Sequence, residues 1–327
     1  MKAIARYSLV FILVFTLTQS IQARVFEGRS VSSRVYEIAF RVRRPFIPPL
    51  TDENIEAYFL RRETINEAPF EVPFPFSNRV TNFEQDRLDV LMFDPASESE
   101  SIIVYLHGGS YVNPPSWIHF RFVTRLMDAL EVPVYFPLYP RAPNATVEDA
   151  LPKLVSFYDH LIEANPHQSI ILMGDSAGAS LALALTLELA REHRPLPSLL
   201  LMISPWLDLA LDNPQIAAIQ PLDPVLNPPA ALYLGNAWRG EVALDDPRVS
   251  PLFGDLSVLT MPVMMVMGTF DVLYPDAVLF AQRAQEVGVT LTFEPSPRML
   301  HVYPLFPGLP EGERTIERML SFIRGEH

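Results

Sequence analysis

The chain alternates short apolar runs with segments of helical spacing from residue 86 onward. Nearly continuous apolar runs are typical of strands that are buried on both faces of a parallel sheet. The predicted strands are 102–106, 132–136, 169–173, 199–203, 263–267 and 289–294. The predicted helices are 116–130, 146–164, 177–193, 276–287 and 311–324. This order predicts an α/β fold with a mostly parallel, doubly wound sheet and helices on both of its faces.

The segment that precedes this series, residues 24–85, has a different composition. It is rich in arginine within an acidic chain, and its prolines divide it into short pieces. Residues 51–53 read as the cap of a short helix over 55–60. We interpret 24–85 as an N-terminal flap that packs on the core.

The α/β domain itself is expected to span residues 86–327. Leu88, Val90 and Met92 alternate with polar neighbours at its start, which predicts an exposed first strand. Residues 207–250 separate two predicted strands and are too long for a simple crossover. This insertion contains a predicted helix around 230–238, and we expect it to form a small helical cap over the sheet.

The N-terminal residues 1–23 match the three parts of a signal peptide. Two cations lie within residues 1–6, an apolar core covers 7–17, and a small residue precedes a cleavage point at Arg24. An uncleaved anchor and an ordinary N-terminal helix are the competing interpretations. No other segment of the sequence reaches the ~18 apolar residues of a membrane span. The expectation is a secreted or periplasmic protein without a stable membrane span after processing.

Composition narrows the classes of function. The net charge of −13 and the pI near 5.0 argue against nucleic acid as a partner, because its binding normally needs a basic face. The absence of cysteine excludes disulfides, thiolate metal sites and a cysteine nucleophile. No metal or organic cofactor is predicted. The sequence leaves the assembly open between a monomer and a homodimer.

Gly174-Asp-Ser-Ala-Gly178 lies between a predicted strand and a predicted helix. A Gly-x-Ser-x-Gly sequence in that context predicts a nucleophile elbow, with Ser176 exposed at the N-terminal end of a helix. Free N–H groups and the helix dipole there favour a developing negative charge. Ser176 is therefore the candidate nucleophile.

A serine nucleophile needs a general base and an acid that orients the base. His301 follows the last predicted strand and is thus expected at the same edge of the sheet as Ser176. Asp271 follows the strand over 263–267 and is expected at that edge too. Asp276 is the alternative acid, although it reads better as the N-terminal cap of the next helix. The chain order Ser176, Asp271, His301 is that of an α/β-hydrolase.

The oxyanion hole needs N–H donors aimed at the developing oxyanion. His107-Gly-Gly-Ser-Tyr111 follows the strand over 102–106 and offers Gly108 and Gly109, while Ala177 supplies the amide after the nucleophile. These three residues are the candidate donors.

Taken together, these motifs resemble the hormone-sensitive-lipase-like esterases of the α/β-hydrolase superfamily, and in particular its bacterial acetyl-esterase-like members. The resemblance covers roughly residues 86–325 and rests on these stretches: 107–111, 139–143, 174–178, 204–208, 271–273 and His301. It implies Ser176 as nucleophile, Asp271 as acid, His301 as base, and an acyl-enzyme intermediate.

The resemblance further implies a serine carboxylesterase that acts on small-molecule esters with short to medium, acetyl-type acyl chains. Ser110 stands where the family usually has glycine or alanine, and the order within residues 139–143 is also unusual. We expect Ser110 and Tyr111 to contact the substrate. Two alternatives remain: a non-catalytic binding protein on the same fold, and an enzyme that cleaves amides or peptides.

Overall fold

Eight strands form one sheet within the described part of the computed structural model, which comprises residues 29–46, 49–94 and 99–326. The strands lie in the order β1-β2-β4-β3-β5-β6-β7-β8. Their bounds are β1 Thr81–Gln85, β2 Leu88–Phe93, β3 Ser101–Leu106, β4 Val134–Pro137, β5 Ser169–Asp175, β6 Leu199–Ile203, β7 Val263–Gly268 and β8 Leu291–Ser296. Strands β3 to β8 pair in parallel, whereas β1 and β2 are antiparallel. The predicted mostly parallel sheet is confirmed.

Helices flank the sheet and connect its parallel strands. Their bounds are α1 Val31–Arg43, α2 Ile55–Glu67, α3 Trp117–Leu130, α4 Val147–Ala164, α5 Ala177–Arg191, α6 Ile216–Ile219, α7 Pro228–Arg239, α8 Tyr274–Glu286 and α9 Pro310–Ile323. The five helices predicted between strands correspond to α3, α4, α5, α8 and α9, with ends that shift by one or two residues. Such shifts are usual where helix ends fray.

Two apolar layers cover the faces of the sheet. Along β3, Ile102 and Val104 join one layer while Ile103 and Tyr105 join the other, because successive side chains of a strand point to opposite faces. Helices α4, α5 and α8 pack on the first face, and α3 and α9 pack on the second. The strands are buried from both sides, which explains their continuous apolar runs.

The beginning of the sheet differs from the prediction. Strand β2 is not exposed: Leu88 and Val90 are buried, since β2 lies between β4 and the additional strand β1. The polar sequence of β1, with most of its side chains exposed, lacks the apolar pattern that identifies a buried strand. The sheet therefore begins at Thr81, within the segment assigned to the flap.

The N-terminal segment contains more helix than its prolines indicate. Helix α1 was not predicted. Helix α2 spans 13 residues, whereas the sequence predicts a short helix over 55–60 only. The N-cap of α2 is Asn54, not a residue of 51–53. Helix α1 packs on the core through Tyr36, whose ring stacks on Phe306 at 5.0 Å. The predicted signal peptide, residues 1–23, lies outside the described residues.

The insertion between β6 and β7 contains α6 and α7. The predicted helix at 230–238 is confirmed as α7, which begins with Pro228 after the Asn227 cap, a favourable arrangement for a helix start. No helix among the described residues is long and apolar enough to cross a membrane.

Candidate active site

Ser176 occupies a sharp turn between β5 and α5. Its backbone has φ +52° and ψ −124°, an unusual conformation for a residue with a side chain. The neighbouring glycines allow the turn: a Cβ at Gly178 would lie 2.1 Å from the Leu106 carbonyl oxygen, and one at Gly174 would lie 2.5 Å from the backbone of Gly178. The predicted elbow is present, and it directs Ser176 to the carboxyl edge of the sheet.

His301 connects Ser176 to Asp271. Its Nε2 atom lies 2.9 Å from the Ser176 Oγ atom, and its Nδ1 atom lies 2.7 Å from an Asp271 carboxylate oxygen. His301 is carried by the loop after β8 and Asp271 by the loop after β7. The three predicted side chains thus meet at one edge of the sheet and are all buried.

The electrostatic setting of His301 favours the imidazolium. Burial lowers the pKa of His301, but the charge and hydrogen bond of Asp271 raise it, and more distant carboxylates add to that effect, so that the pKa lies above 6.5. The other Asp271 carboxylate oxygen accepts a hydrogen bond from the Leu273 N–H group at 3.0 Å. Asp271 is therefore held in place as the partner of the Nδ1–H group.

Asp276, the alternative acid, is not the partner of His301. It belongs to the first turn of α8 rather than to its cap, because the helix begins at Tyr274 with Leu273 as N-cap. The Asn213 side-chain amide donates to it at 2.9 Å. Burial, followed by the nearby charges of Asp208 and Asp212, raises the pKa of Asp276 to about 6. The predicted cap role of Asp276 is wrong.

The loop after β3 presents its amides differently from the prediction. The Gly108 N–H group donates to an Asp175 carboxylate oxygen at 2.9 Å, so Gly108 has no free amide for an oxyanion and its assignment as a donor is wrong. Within the described part of the chain, the amides of Gly109, Ser110 and Ala177 have no hydrogen-bond partner. Ser110, which the sequence did not single out as a donor, has a left-handed backbone with φ +54°.

Buried polar groups hold this loop in shape. Burial above all lowers the pKa of His107 to about 3, so its ring is neutral at neutral pH. Its Nδ1–H group donates to the Gly108 carbonyl oxygen at 2.6 Å, and its ring stacks on Tyr139 at 4.6 Å. The Tyr139 hydroxyl donates to the His107 carbonyl oxygen. The loop is thereby tied to the residues that follow β4.

Asp175, next to the nucleophile, is a second anchor of the same loop. The Asp175 carboxylate accepts a hydrogen bond from the Tyr105 hydroxyl at 2.8 Å, in addition to the one from the Gly108 N–H group. His119 approaches the other carboxylate oxygen, with its Nε2 atom 3.4 Å away. Burial raises the pKa of Asp175, but these partners together lower it below its ordinary value, so the carboxylate is charged.

Asp223 is a buried carboxylate of the cap that sequence reasoning did not place at the site. One of its oxygens accepts the Val272 N–H group at 3.0 Å, directly beside Asp271, and the other accepts amides of the cap loop. Burial, then the charge of Asp271, raises the pKa of Asp223 to about 6. The Asp-Pro pair within 222–226 is the only feature of the sequence that marks this residue, and its position beside Asp271 is evident only from the fold.

Two spaces with shared wall residues lie at the site, and Ser176 lines the smaller of them. A small cavity of about 10 Å³ is lined by Ser110, Ser176, Trp206, Leu211, Leu226, Pro228, Ala231, Val272 and Leu273. A cleft of about 840 Å³ lies between α2 and α7, and it shares Ser110, Leu226 and Ala231 with the cavity. Ser110 thus lines both spaces, and its contact with the substrate stays a prediction.

Tyr111 lines neither of these spaces. It is buried under the cap, where its ring stacks in parallel on Trp238 with 4.6 Å between the centroids. The predicted substrate contact of Tyr111 is wrong, because the left-handed backbone at Ser110 and Tyr111 turns the chain into the interior.

No group of three or more histidine, aspartate and glutamate side chains with the geometry of a metal site occurs in the described ranges. The arrangement at Ser176 consists of a hydroxyl, a base, an acid that orients the base, and unpartnered amides. Such a set can activate the hydroxyl and stabilise a tetrahedral oxyanion.

Comparisons with known proteins agree with this geometry. Residues 103–305 match a family model described as the alpha/beta hydrolase fold. The chain is similar to an acetyl-hydrolase of Streptomyces hygroscopicus, with 34% identity over 70% of this chain and 77% of the relative. It is also similar to an esterase of Acinetobacter venetianus, with 30% identity over 69% of this chain and 75% of the relative.

Solved structures extend the similarity. A Staphylococcus aureus protein provisionally assigned as an esterase superposes with a TM-score of 0.79 at 28% identity, over 84% of this chain and 93% of that one. An esterase from the bacterial hormone-sensitive lipase family superposes with a TM-score of 0.73 at 24% identity, over 89% of this chain and 97% of that one, which shows a shared fold.

Proposed function

We propose that this chain, which belongs to the α/β-hydrolase family and is a carboxylic ester hydrolase, cleaves short-chain esters through a covalent acyl-serine. The observation that carries the proposal is the pair of contacts that His301 makes, 2.9 Å to Ser176 and 2.7 Å to Asp271. This chain of hydrogen bonds is the arrangement that serine hydrolases use to generate a nucleophile.

In the first half of the reaction, the Ser176 Oγ atom attacks the ester carbonyl carbon while the His301 Nε2 atom takes the hydroxyl proton. Asp271 stabilises the imidazolium that forms and keeps the Nδ1–H tautomer. The tetrahedral intermediate collapses when His301 protonates the departing alkoxide, which leaves as the alcohol. In the second half, His301 deprotonates a water molecule, which attacks the acyl-serine carbonyl carbon. The second tetrahedral intermediate collapses when His301 returns the proton to the Ser176 Oγ atom, and the acid is released.

The amides of Gly109, Ser110 and Ala177 are our proposed donors to the oxyanion. They are supported by their lack of other partners in the described residues and by the position of Ser110 beside Ser176. The loss of one such donor typically raises the barrier by ~2.7–4 kcal/mol. A left-handed backbone at Ser110 supplies this amide without the glycine that the family usually has there.

The small cavity beside Ser176 supports a short acyl group. Its volume of about 10 Å³ is close to the room that one water molecule needs, and its walls are mainly apolar. A methyl or ethyl group suits this space, whereas a long chain has to displace Trp206 or Leu211. The name acetyl-hydrolase of the Streptomyces relative agrees with this preference.

The first test is hydrolysis of 4-nitrophenyl esters from acetate to palmitate by the wild-type protein and by Ser176→Ala. We expect kcat/KM to be highest for short chains and to fall by at least about a thousandfold in Ser176→Ala, since the residual rate of a triad without its nucleophile is small. A circular dichroism spectrum and Tm equal to those of the wild type establish that the variant is folded. Undiminished hydrolysis by folded Ser176→Ala would refute the mechanism.

The wild-type protein and Ser176→Ala also test two other functions. An amidase or peptidase would cleave a 4-nitroanilide at a rate comparable to the matching 4-nitrophenyl ester. A non-catalytic binding protein would show no Ser176-dependent turnover at any chain length. The filled triad and the esterase relatives favour the ester hydrolase over both.

We also propose export from the cytoplasm, on the basis of the charged, apolar and small-residue pattern of residues 1–23. Expression of the full chain followed by fractionation tests this. N-terminal sequencing of the exported protein is expected to begin at Arg24, whereas retention of the intact chain in the cytoplasm contradicts the proposal.

A further inference from the structure

The cleft beside the active site is cationic, although the whole protein is strongly acidic. Its described lining contains three arginines, Arg44, Arg61 and Arg62, and no aspartate or glutamate. The net charge of the chain is −13. A local reversal of sign in a concave space is the usual setting for an anionic ligand, because such clefts concentrate opposite charge.

Helix α2 presents this charge to the cleft along one face. Asn54, Tyr58, Arg61 and Arg62 all line the cleft, and their spacing of three and four residues is that of one side of a helix. The guanidinium of Arg62 lies over the Tyr58 ring, with its carbon 5.0 Å from the ring centroid. The aromatic face fixes the guanidinium without neutralising it.

The cleft arginines have no carboxylate partner in the described residues. Arg44, Arg61 and Arg62 take part in none of the ion pairs there, whereas exposed arginines elsewhere, such as Arg191, are paired with glutamates. The Nε atom of Arg62 is buried and has no hydrogen-bond acceptor in the same described ranges. A buried N–H donor without an acceptor costs free energy unless a ligand supplies one.

A fourth guanidinium reinforces the positive field behind the cleft. Arg141 is buried, and its Nε–H group donates to the neutral Asn66 side chain at 3.1 Å. Burial above all lowers the pKa of Arg141, with Tyr139 acting against it and the charge of Arg62 acting in the same direction. A buried cation without an acid partner among the described residues is stabilised when an anion binds nearby.

We propose that this cleft binds the larger limb of the ester through an anionic group, with Arg61 and Arg62 selecting it. The inference rests on the proposed esterase function, in which the small cavity accepts the short acyl group and the cleft accepts the alcohol. Ser110, Leu226 and Ala231 line both spaces, so an ester bound at Ser176 reaches from one into the other. The substrate class is thus an acetyl-type ester of an alcohol that carries a carboxylate or a similar anion.

Matched pairs of esters test the selection. The first pair is 3-(4-acetoxyphenyl)propanoate and its carboxamide, which differ in charge on the alcohol limb. The second pair is the mono-4-nitrophenyl ester of adipic acid and its carboxamide, which differ in charge on the acyl limb. The measured quantity is the ratio of kcat/KM for the anionic ester to that for the neutral ester. We expect a ratio above one for the first pair, and a decrease of this ratio as KCl is added.

The variants assign the preference to the arginines. Arg62→Gln and Arg61→Gln are expected to lower the ratio by roughly fivefold to tenfold each, since a hydrogen bond to a charged group is lost. Arg62→Lys, which retains the charge, is expected to have a ratio between those of Arg62→Gln and the wild type. Arg191→Gln is the matched control: it removes the same charge at the far end of α5 and is expected to keep the wild-type ratio.

The outcomes separate this inference from the proposed function. Ser176-dependent hydrolysis of the neutral carboxamides reports on the esterase alone. A preference confined to the second pair would place the anion on the acyl limb and overturn the alcohol assignment. A ratio at or below one for both pairs, or a ratio that folded Arg61→Gln and Arg62→Gln both leave unchanged, would overturn the role of the cleft even if the esterase is active.

Discussion

At the scale of single residues, the site depends on a few side chains whose neighbours set their protonation. Ser176, Asp271 and His301 could be predicted because each follows a recognisable strand, and parallel strands deliver their carboxyl ends to one edge. Asp223 could not be predicted, since its contact with the Val272 amide joins two segments that are distant in sequence. Gly108 was assigned from its motif, but its amide is bonded to Asp175.

The pH dependence of hydrolysis is expected to report His301. The base acts only when neutral, and its pKa is raised, so kcat/KM should fall as the pH decreases through a value above 6.5. Measurement of kcat/KM for 4-nitrophenyl acetate between pH 5 and 9, at constant ionic strength, gives this acid limb.

Asp223→Asn tests whether the Asp223 carboxylate contributes to the fall of kcat/KM at acidic pH. The charge of Asp223 is one of the causes that raise the pKa of His301, so its removal should shift the midpoint of the fall in kcat/KM to lower pH. A variant that is merely damaged would lose rate at all pH values without a shift. An unshifted midpoint in a folded Asp223→Asn protein would contradict this electrostatic role.

At the level of helices and strands, the hydrophobic pattern predicted the elements that cover the core and missed those that are largely exposed. The buried helices α3, α4, α5, α8 and α9 have long apolar faces and were predicted. Helix α1 was missed, because charged side chains interrupt its apolar residues and only Ser32, Ser33 and Tyr36 are buried. The strand β1 was missed because its sequence is polar and most of its side chains are exposed. Amphipathic pattern identifies an element only where the element covers a core.

Helix α7 is expected to support the oxyanion loop through one aromatic contact. Trp238 is fully buried and stacks in parallel on Tyr111, the residue that follows Ser110. Trp238→Ala should lower the free energy of unfolding by roughly 3–5 kcal/mol, as is usual for a large buried aromatic residue. Urea denaturation followed by far-ultraviolet circular dichroism measures this loss.

The matched control for this prediction is Trp238→Phe. It keeps an aromatic ring against Tyr111 and removes an indole N–H group that has no acceptor in the described part of the chain. We therefore expect a much smaller loss than in Trp238→Ala. Equal losses in both variants would show that packing against Tyr111 contributes little to stability.

At the scale of the whole molecule, the mostly parallel sheet and its two apolar layers followed from the sequence, whereas the spaces around the site did not. A cavity or cleft is formed by residues from several segments, here the N-terminal helix α2, the insertion with α7 and the loop after β3. Hydrophobic periodicity contains no information on the distance between such segments. The volume and the charge of the cleft could be obtained only from the structure.

The contribution of Asp276 to the stability of the folded chain is expected to decrease as the pH rises towards and through about 6. The folded-state pKa of Asp276 is raised to about 6 from 3.8, so the folded state holds this proton more tightly than the unfolded chain does. The stabilisation is complete below the unfolded pKa and is lost above the folded one. Asp223 contributes a dependence of the same sign.

Asp276→Asn is expected to be more stable than the wild type at pH 8, by on the order of 2 kcal/mol, and this gain is expected to be clearly smaller at pH 4.5. Urea denaturation at both pH values measures the difference. Asp245→Asn, which changes an exposed acid, serves as the control and should show little effect at either pH. A gain for Asp276→Asn that is equal at both pH values would contradict the origin of the effect in ionisation.

The position of the insertion between β6 and β7 has a consequence for how this protein can change. The three reacting side chains are attached to the ends of β5, β7 and β8, while the walls of the cleft come from α2 and α7. The substrate can therefore change when the segments that line the cleft are replaced, while the three reacting side chains stay in place. One requirement remains: a transplanted insertion has to bring a hydrogen-bond acceptor to the Val272 amide, as Asp223 does, or this buried N–H group next to Asp271 loses its partner.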